Sequence, residues 1–234
     1  MGLADLHIHT IYSYDGTASV PAVLRRAKEL GLDVIAITDH DEIAGSLKAM
    51  ELASTYGVEV IPGVEITTAD GDLLALNITE IVPPGLPVQE TILRVGALGG
   101  FCIAPHPMAG GMGMKSLSAM SIFKALKNPE VAKILIGIEA HNATAIDRIS
   151  NQSARLLAKR LPIAKVGNSD AHVLSAIGLG ATEFAGSTAA DLIAALKNKT
   201  TRIRRQKEWT PFRILGMWAI NYIGSAFTRL GWVN

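Results

Sequence analysis

Residues 34–40 read Val34-Ile35-Ala36-Ile37-Thr38-Asp39-His40. Four apolar residues in succession show no alternation of faces, the pattern of a strand covered on both sides and typical of parallel sheets. A helical stretch precedes the run. Ser19 stands at its cap position, Pro21 in its first turn, and Val20, Val23, Leu24, Ala27 and Leu30 on one face, before Gly31 ends it. Upstream of that, residues 3–8 read as another strand, and downstream residues 42–56 read as a helix closed by Gly57. The heptapeptide therefore sits inside a βαβ unit, and its polar end falls where such a strand finishes.

The same alternation continues. Residues 58–61, 64–66, 73–81, 101–104, 134–138 and 163–166 read as strands, and residues 88–98, 145–159 and 188–197 as helices. Six or seven parallel units fit either a barrel or an open doubly wound sheet. The 22 basic and 21 acidic residues of the 234 nearly cancel, which leaves no general nucleic-acid footprint. One cysteine, Cys102, excludes an internal disulfide and fits a reducing compartment, so a cytoplasmic location is expected. The first residues, Met1 to His7, reach charge at once and predict no leader peptide.

All six histidines, His7, His9, His40, His106, His141 and His172, fall at or just past the end of an expected strand. In parallel α/β folds those ends converge on one face. His7 and His9 are two apart on a strand, so both rings point to one side, with Asp5 beside them. Asp15, Asp39-His40, Glu65, His106 and the pair Asp170/His172 occupy equivalent places. So many imidazoles and carboxylates on one face predict a multinuclear metal site, since without cations the carboxylates would repel. Mixed nitrogen and oxygen donors with no thiolate suit zinc, manganese or iron.

Five segments, in order, resemble the motifs of the PHP (polymerase and histidinol phosphatase) domain family. They are Asp5-Leu6-His7-Ile8-His9, Ile37-Thr38-Asp39-His40, Pro62-Gly63-Val64-Glu65, Ala104-Pro105-His106-Pro107 and Asn168-Ser169-Asp170-Ala171-His172. The resemblance covers residues 3–200 and is nearest the short stand-alone phosphoesterases. It implies an α/β fold, a distorted (β/α)7 barrel with two or three divalent ions at the strand C-termini. It implies His7, His9, Glu65 and Asp170 around a first ion, Glu65 and His106 around a second, and Asp15, His40 and His172 around a third. Glu65, Asp170 and His172 are then the expected catalytic residues, and the expected reaction is hydrolysis of a phosphate monoester or diester by a metal-bound hydroxide. The substrate would be a small phosphorylated molecule such as a nucleotide or sugar phosphate, with a short oligonucleotide still open.

One ligand departs from the family pattern. No histidine lies between Glu65 and His106, and the aligned residue is Asp72. His141 is the alternative donor to the second ion; with Asn142 it is equally a candidate for contact with substrate. Two rival functions remain open: a metal-dependent amidohydrolase, and a metal-binding module whose catalysis has lapsed into a structural or regulatory role. Gly110-Gly111-Met112-Gly113-Met114 reads as a rim loop rather than a phosphate nest.

The expected boundary falls between a PHP domain at 1–205 and a hydrophobic tail at 206–234. Lys197, Lys199, Arg202, Arg204, Arg205 and Lys207 lead into it, and all three tryptophans lie within it. Phe212, Leu215, Ala219, Tyr222 and Ala226 form one helical stripe, while Arg213, Asn221 and Arg229 argue against a membrane span. That much apolar surface is expected to be covered by the chain's own barrel, by a second subunit or by a membrane surface.

Overall fold

The computed structural model describes residues 1–109, 115–145, 148–205 and 209–229. The expected rim loop at 110–114 and the last five residues of the tail lie outside them, as do the side chains of Ala226 and Arg229. The chain folds as β1 (Gly2–Asp5), α1 (Val20–Glu29), β2 (Val34–Ile35), α2 (Ala44–Tyr56), β3 (Glu59–Val60), β4 (Gly63–Thr67) and β5 (Asp72–Leu76). Next come α3 (Val88–Ala97), β6 (Phe101–Ala104), α4 (Ala119–Leu126), α5 (Pro129–Ile134), β7 (Leu135–Asn142), α6 (Arg148–Ala158) and β8 (Ala164–Asn168). β9 (Gly180–Phe184), α7 (Ala189–Asn198), β10 (Arg202–Arg205) and α8 (Pro211–Arg229) complete it.

The strands form two five-stranded sheets, ordered β10-β9-β1-β2-β3 and β4-β5-β6-β7-β8. The deciding run is wholly buried from Val34 to Ile37. Only its first two residues count as strand, but pairing continues: Ala36 N–H donates to Asp5 O at 3.0 Å and Thr38 N–H to Ile8 O at 2.9 Å.

The expectation of parallel pairing throughout is corrected. β1-β2-β3 and β6-β7-β8 are parallel, whereas β9 pairs antiparallel with β1 and β10, and β5 with β4 and β6. The link between β4 and β5 is a tight turn around Gly71, at φ +139, too short for the crossover that a parallel pair requires. Ser19 stands at the N-cap of α1, but its side chain makes no capping bond.

Two isolated bridges, Ile8 with Ala171 and His40 with Glu65, join the sheets. Both have parallel sense, and both fall beside expected metal ligands. The functional side chains are therefore set at the seams, where two frameworks fix each backbone.

Three apolar clusters fill the space around the sheets. One holds Val23, Leu24, Ile35, Ile37 and Val173, takes in Trp209, and has Ile214, Met217 and Trp218 of α8 packed against it. The first part of the tail thus covers the fold's own core, while Phe212, Ile220 and Ile223 of the same helix face outward. Among the described residues, no helix is long and apolar enough to cross a membrane.

Candidate metal centre

His7 and His9 follow β1 and reach the same space, as their i, i+2 spacing requires. His7 Nε2 lies 3.0 Å from Glu65 Oε2 and 3.3 Å from Asp170 Oδ1; His9 Nε2 lies 3.2 Å from each of the same two oxygens. The other Glu65 oxygen, Oε1, lies 2.9 Å from His106 Nε2. Asp15 Oδ2 stands 3.2 Å from His172 Nε2 and 3.4 Å from His40 Nε2. Among the described residues, three overlapping groups have the spacing of a metal site: His7, His9 and Asp170; His7, Glu65 and His106; and His9, Asp15, His40 and His172. All eight residues expected from the sequence are thus brought together.

Asp72 lines the same cavity as Glu65 and His106, at the first position of β5. His141 is buried in β7 opposite Gly167 and belongs to none of the three groups. Asn142, a candidate for substrate contact, is also buried. Its amide donates to Asp170 Oδ2 at 3.0 Å and to Glu139 Oε2 at 3.2 Å, so it orients a candidate ligand.

Glu139 is the functional residue that sequence reasoning passed over. Its carboxylate accepts from four donors: His7 Nδ1 at 2.8 Å, the His106 backbone N–H at 2.8 Å, Asn168 Nδ2 at 2.7 Å and Asn142 Nδ2. It fixes the His7 ring with Nε2 turned toward the cluster, which is how a ligating histidine is commonly held. The signal was present in the sequence: an acidic residue inside the apolar run Leu135-Ile136-Gly137-Ile138-Glu139 must have partners to be buried. Asp5 works one step further back and accepts the backbone N–H groups of Ser169 and Gly178, beside Asp170. Asp39 holds Thr10 in the same manner. His106 and Asp170 sit at φ 26 and φ 53, in the left-handed region, where a non-glycine residue persists only if its surroundings over-determine it.

The donor set fits divalent ions. Both His9 ring nitrogens and Asp170 Oδ1 are buried without a hydrogen bond, although His9 Nε2 and Asp170 Oδ1 face each other at 3.2 Å. Buried polar atoms left without a partner are costly, and a cation between them would satisfy both. The electrostatics agree. Burial alone disfavours a charged His7 ring, but the carboxylates of Asp170, Glu65 and Glu139 outweigh it and raise its pKa well above the ordinary value. Burial would likewise raise Glu65, yet His7, His40 and His106 hold it well below the carboxylate range. Asp170 is depressed in the same way by His7, His9 and His172. Asp72, pushed by burial and by the charge of Glu65, rises to about 6.

A family model described as PHP domain matches residues 5–166, and one described as PHP-associated matches residues 148–201. The chain belongs to the PHP domain family. A relative from Methanocaldococcus jannaschii, the uncharacterized protein MJ1587, is 37% identical over 68% of this chain and 93% of its own length. A phosphoribosyl 1,2-cyclic phosphate 1,2-diphosphodiesterase from Eggerthella lenta is 34% identical over 35% of this chain and 33% of its own. Among solved structures, a two-domain protein from Bacteroides vulgatus is described as containing a "predicted PHP-like metal-dependent phosphoesterase". It superposes with a TM-score of 0.65 at 20% identity, over 87% of this chain and 64% of its own. That similarity shows a shared fold.

The PHP site opens into a cavity of about 380 Å³. Tyr14 stacks on His40, with ring centroids 5.2 Å apart, and the Trp218 indole N–H donates to the Asp15 carbonyl at 2.9 Å. The tail helix thus closes one side of the candidate metal centre.

Proposed function

We propose that this chain is a hydrolase of phosphate esters that uses two or three divalent ions, zinc, manganese or iron. The observation that carries the reading is the Glu65 carboxylate. One oxygen faces His7 and His9 and the other faces His106, the position of a ligand shared between two ions. Ions so placed supply an activated water and a clamp on phosphate oxygens. The chain's own residues do the positioning. Glu139 fixes His7, Asn142 orients Asp170, and Asp15 draws His40 and His172 together. Asp72 is the added oxygen donor where relatives of this type carry a histidine; its unpartnered Oδ1 supports that role. Glu65, Asp170 and His172 lie nearest the reacting phosphate in this reading.

The family and the ester named for the Eggerthella lenta protein support this class of substrate. The cavity suits a small monoester or diester rather than a polymer. The two bridges between the sheets support reading them as the wall of one distorted (β/α)7 barrel, with residues 1–205 as the catalytic unit and 206–234 as its tail. The single buried cysteine supports a cytoplasmic location. The test is phosphate release from a panel of monoesters and diesters with each metal. Metal-dependent turnover, abolished by chelation, is expected. Amide hydrolysis without phosphate release would transfer the site to the amidohydrolases, and no turnover with any metal would leave a non-catalytic binding module.

A further inference from the structure

The cavity has two unlike ends. One is the cluster of imidazoles and carboxylates. The other is a wall of Trp209, Ile214, Leu215 and Trp218, faced by Val173 and Ala176. This wall is held in place. Ile214 and Trp218 pack on the same core cluster that includes Trp209 and Val173, Trp218 stacks on Tyr222 at 4.8 Å, and its N–H reaches the Asp15 carbonyl. Through that bond the wall is tied to the loop that presents a candidate ligand.

Charge is confined to one end. Among the described residues lining the cavity there is no lysine or arginine, and the carboxylates Asp15, Glu65, Asp72 and Asp170 all belong to the metal side. A substrate with several phosphates would meet no lysine or arginine among those residues, whereas an apolar group would meet indoles and aliphatic carbons. A cavity of about 380 Å³ that must also hold the phosphate leaves room for roughly one ring, not for a long acyl chain.

We propose that the α8 wall is a subsite for an apolar organic group of aryl size joined to the phosphate. The proposal rests on the phosphoesterase reading for the placement of the phosphate at the metal end. Trp218 and Leu215 would set specificity by burying that group, and Trp209 would form the floor behind them.

The test uses the metal-loaded full chain with phenylphosphonate and methylphosphonate, which carry no scissile ester bond, and measures binding by calorimetry. The phenyl compound is expected to bind about tenfold or more tightly, the usual scale for burying a small apolar group in a matched pocket. Trp218→Ala and Leu215→Gln should each lower that ratio severalfold. Trp218→Phe, which keeps the bulk and loses the N–H, should largely retain it. Equal affinity of the two phosphonates, binding of neither, or a ratio unmoved by both Trp218→Ala and Leu215→Gln would overturn the subsite. Discrimination in a protein that hydrolyses no phosphate ester would keep the subsite and remove the hydrolase reading. Ester hydrolysis without discrimination would do the reverse.

Discussion

His7 and His40 both stand within 3.5 Å of Glu65, yet they are held in different ways. The His7 ring is fully buried, and its second nitrogen is committed to Glu139, a carboxylate that itself accepts four donors. The His40 side chain keeps 14% of its surface exposed; its ring is flanked by the exposed Tyr14 and by Asp15, which comes from a loop. The inner group of His7, His9, Glu65, Asp170 and His106 is therefore built into the sheet seams. The outer group of Asp15, His40 and His172 is a more exposed rim, although the His40 backbone also bridges to Glu65. The difference predicts an inner site that is preorganised and slow to exchange, and an outer site that loads and empties first.

The largest effect should come from breaking the inner group at its shared member. Glu65→Ala removes both the oxygen that faces His7 and His9 and the oxygen that faces His106, and several kcal/mol of transition-state stabilisation goes with the ions. Activity should fall at least about 10³-fold, with most bound metal lost. Asp15→Ala should instead lose one metal equivalent and leave the inner content in place. Elemental analysis of both variants checks the contrast; equal losses in the two would dissolve the distinction between inner and outer sites.

A smaller effect should follow from loosening the inner group without touching a ligand. Glu139→Gln turns one acceptor oxygen into an NH2 group, which must then face a donor, because all four partners of Glu139 are donors. His7 loses its fixed orientation, and metal affinity should drop about 10–100-fold, the usual scale for such supporting groups. Competition with a chromogenic chelator measures this. An unchanged affinity would mean that the burial of His7 alone holds the ring.

Much of this contrast was legible in the sequence because histidines at strand ends carry their own signal. The position of His7, His9, His40, His106 and His172 followed from periodicity and family resemblance together. What supports them was harder to read. Glu139 shows its role only through the groups that donate to it, and three of its four partners lie about 30 residues or more away. The helices at Ala119–Leu126 and Pro129–Ile134 are short, but their starts carry a signal: the Ser118 and Asn128 side chains cap them, and Pro129 opens the second. β10 is hidden for another reason. The segment Arg202-Ile203-Arg204-Arg205 reads as a basic run, but in the fold it is an edge strand whose Ile203 packs toward a core cluster. The aromatic tail was conspicuous by composition, yet only long-range contacts reveal that Trp209 and Trp218 line the metal cavity rather than a distant surface.

The smallest expected effect concerns the same inner and outer histidines when no ion is bound. Carboxylates raise His7, His106, His40 and His172 above the ordinary value despite burial, so in the ion-free protein pairing favours the charged form of these rings. A histidine whose folded pKa is raised adds stability that is fully present below its unfolded pKa and is lost as pH rises through the folded one. Asp5 and Asp72, both raised to about 6, have already ionised by pH 7 and contribute no further slope above it. The chelated protein should therefore melt progressively lower as pH rises from about 7 through the raised histidine values, by about 2–4 °C for each kcal/mol of pairing lost. With ions bound, the rings are already deprotonated, and the same interval should leave the melting temperature nearly flat. Loading the ions must also expel those protons, so apparent metal affinity should weaken as pH falls. Parallel melting curves for the chelated and loaded protein would show that the histidines are neutral in the empty site. In that case the inner group would be held by Glu139 and its neighbours alone, without help from paired charge.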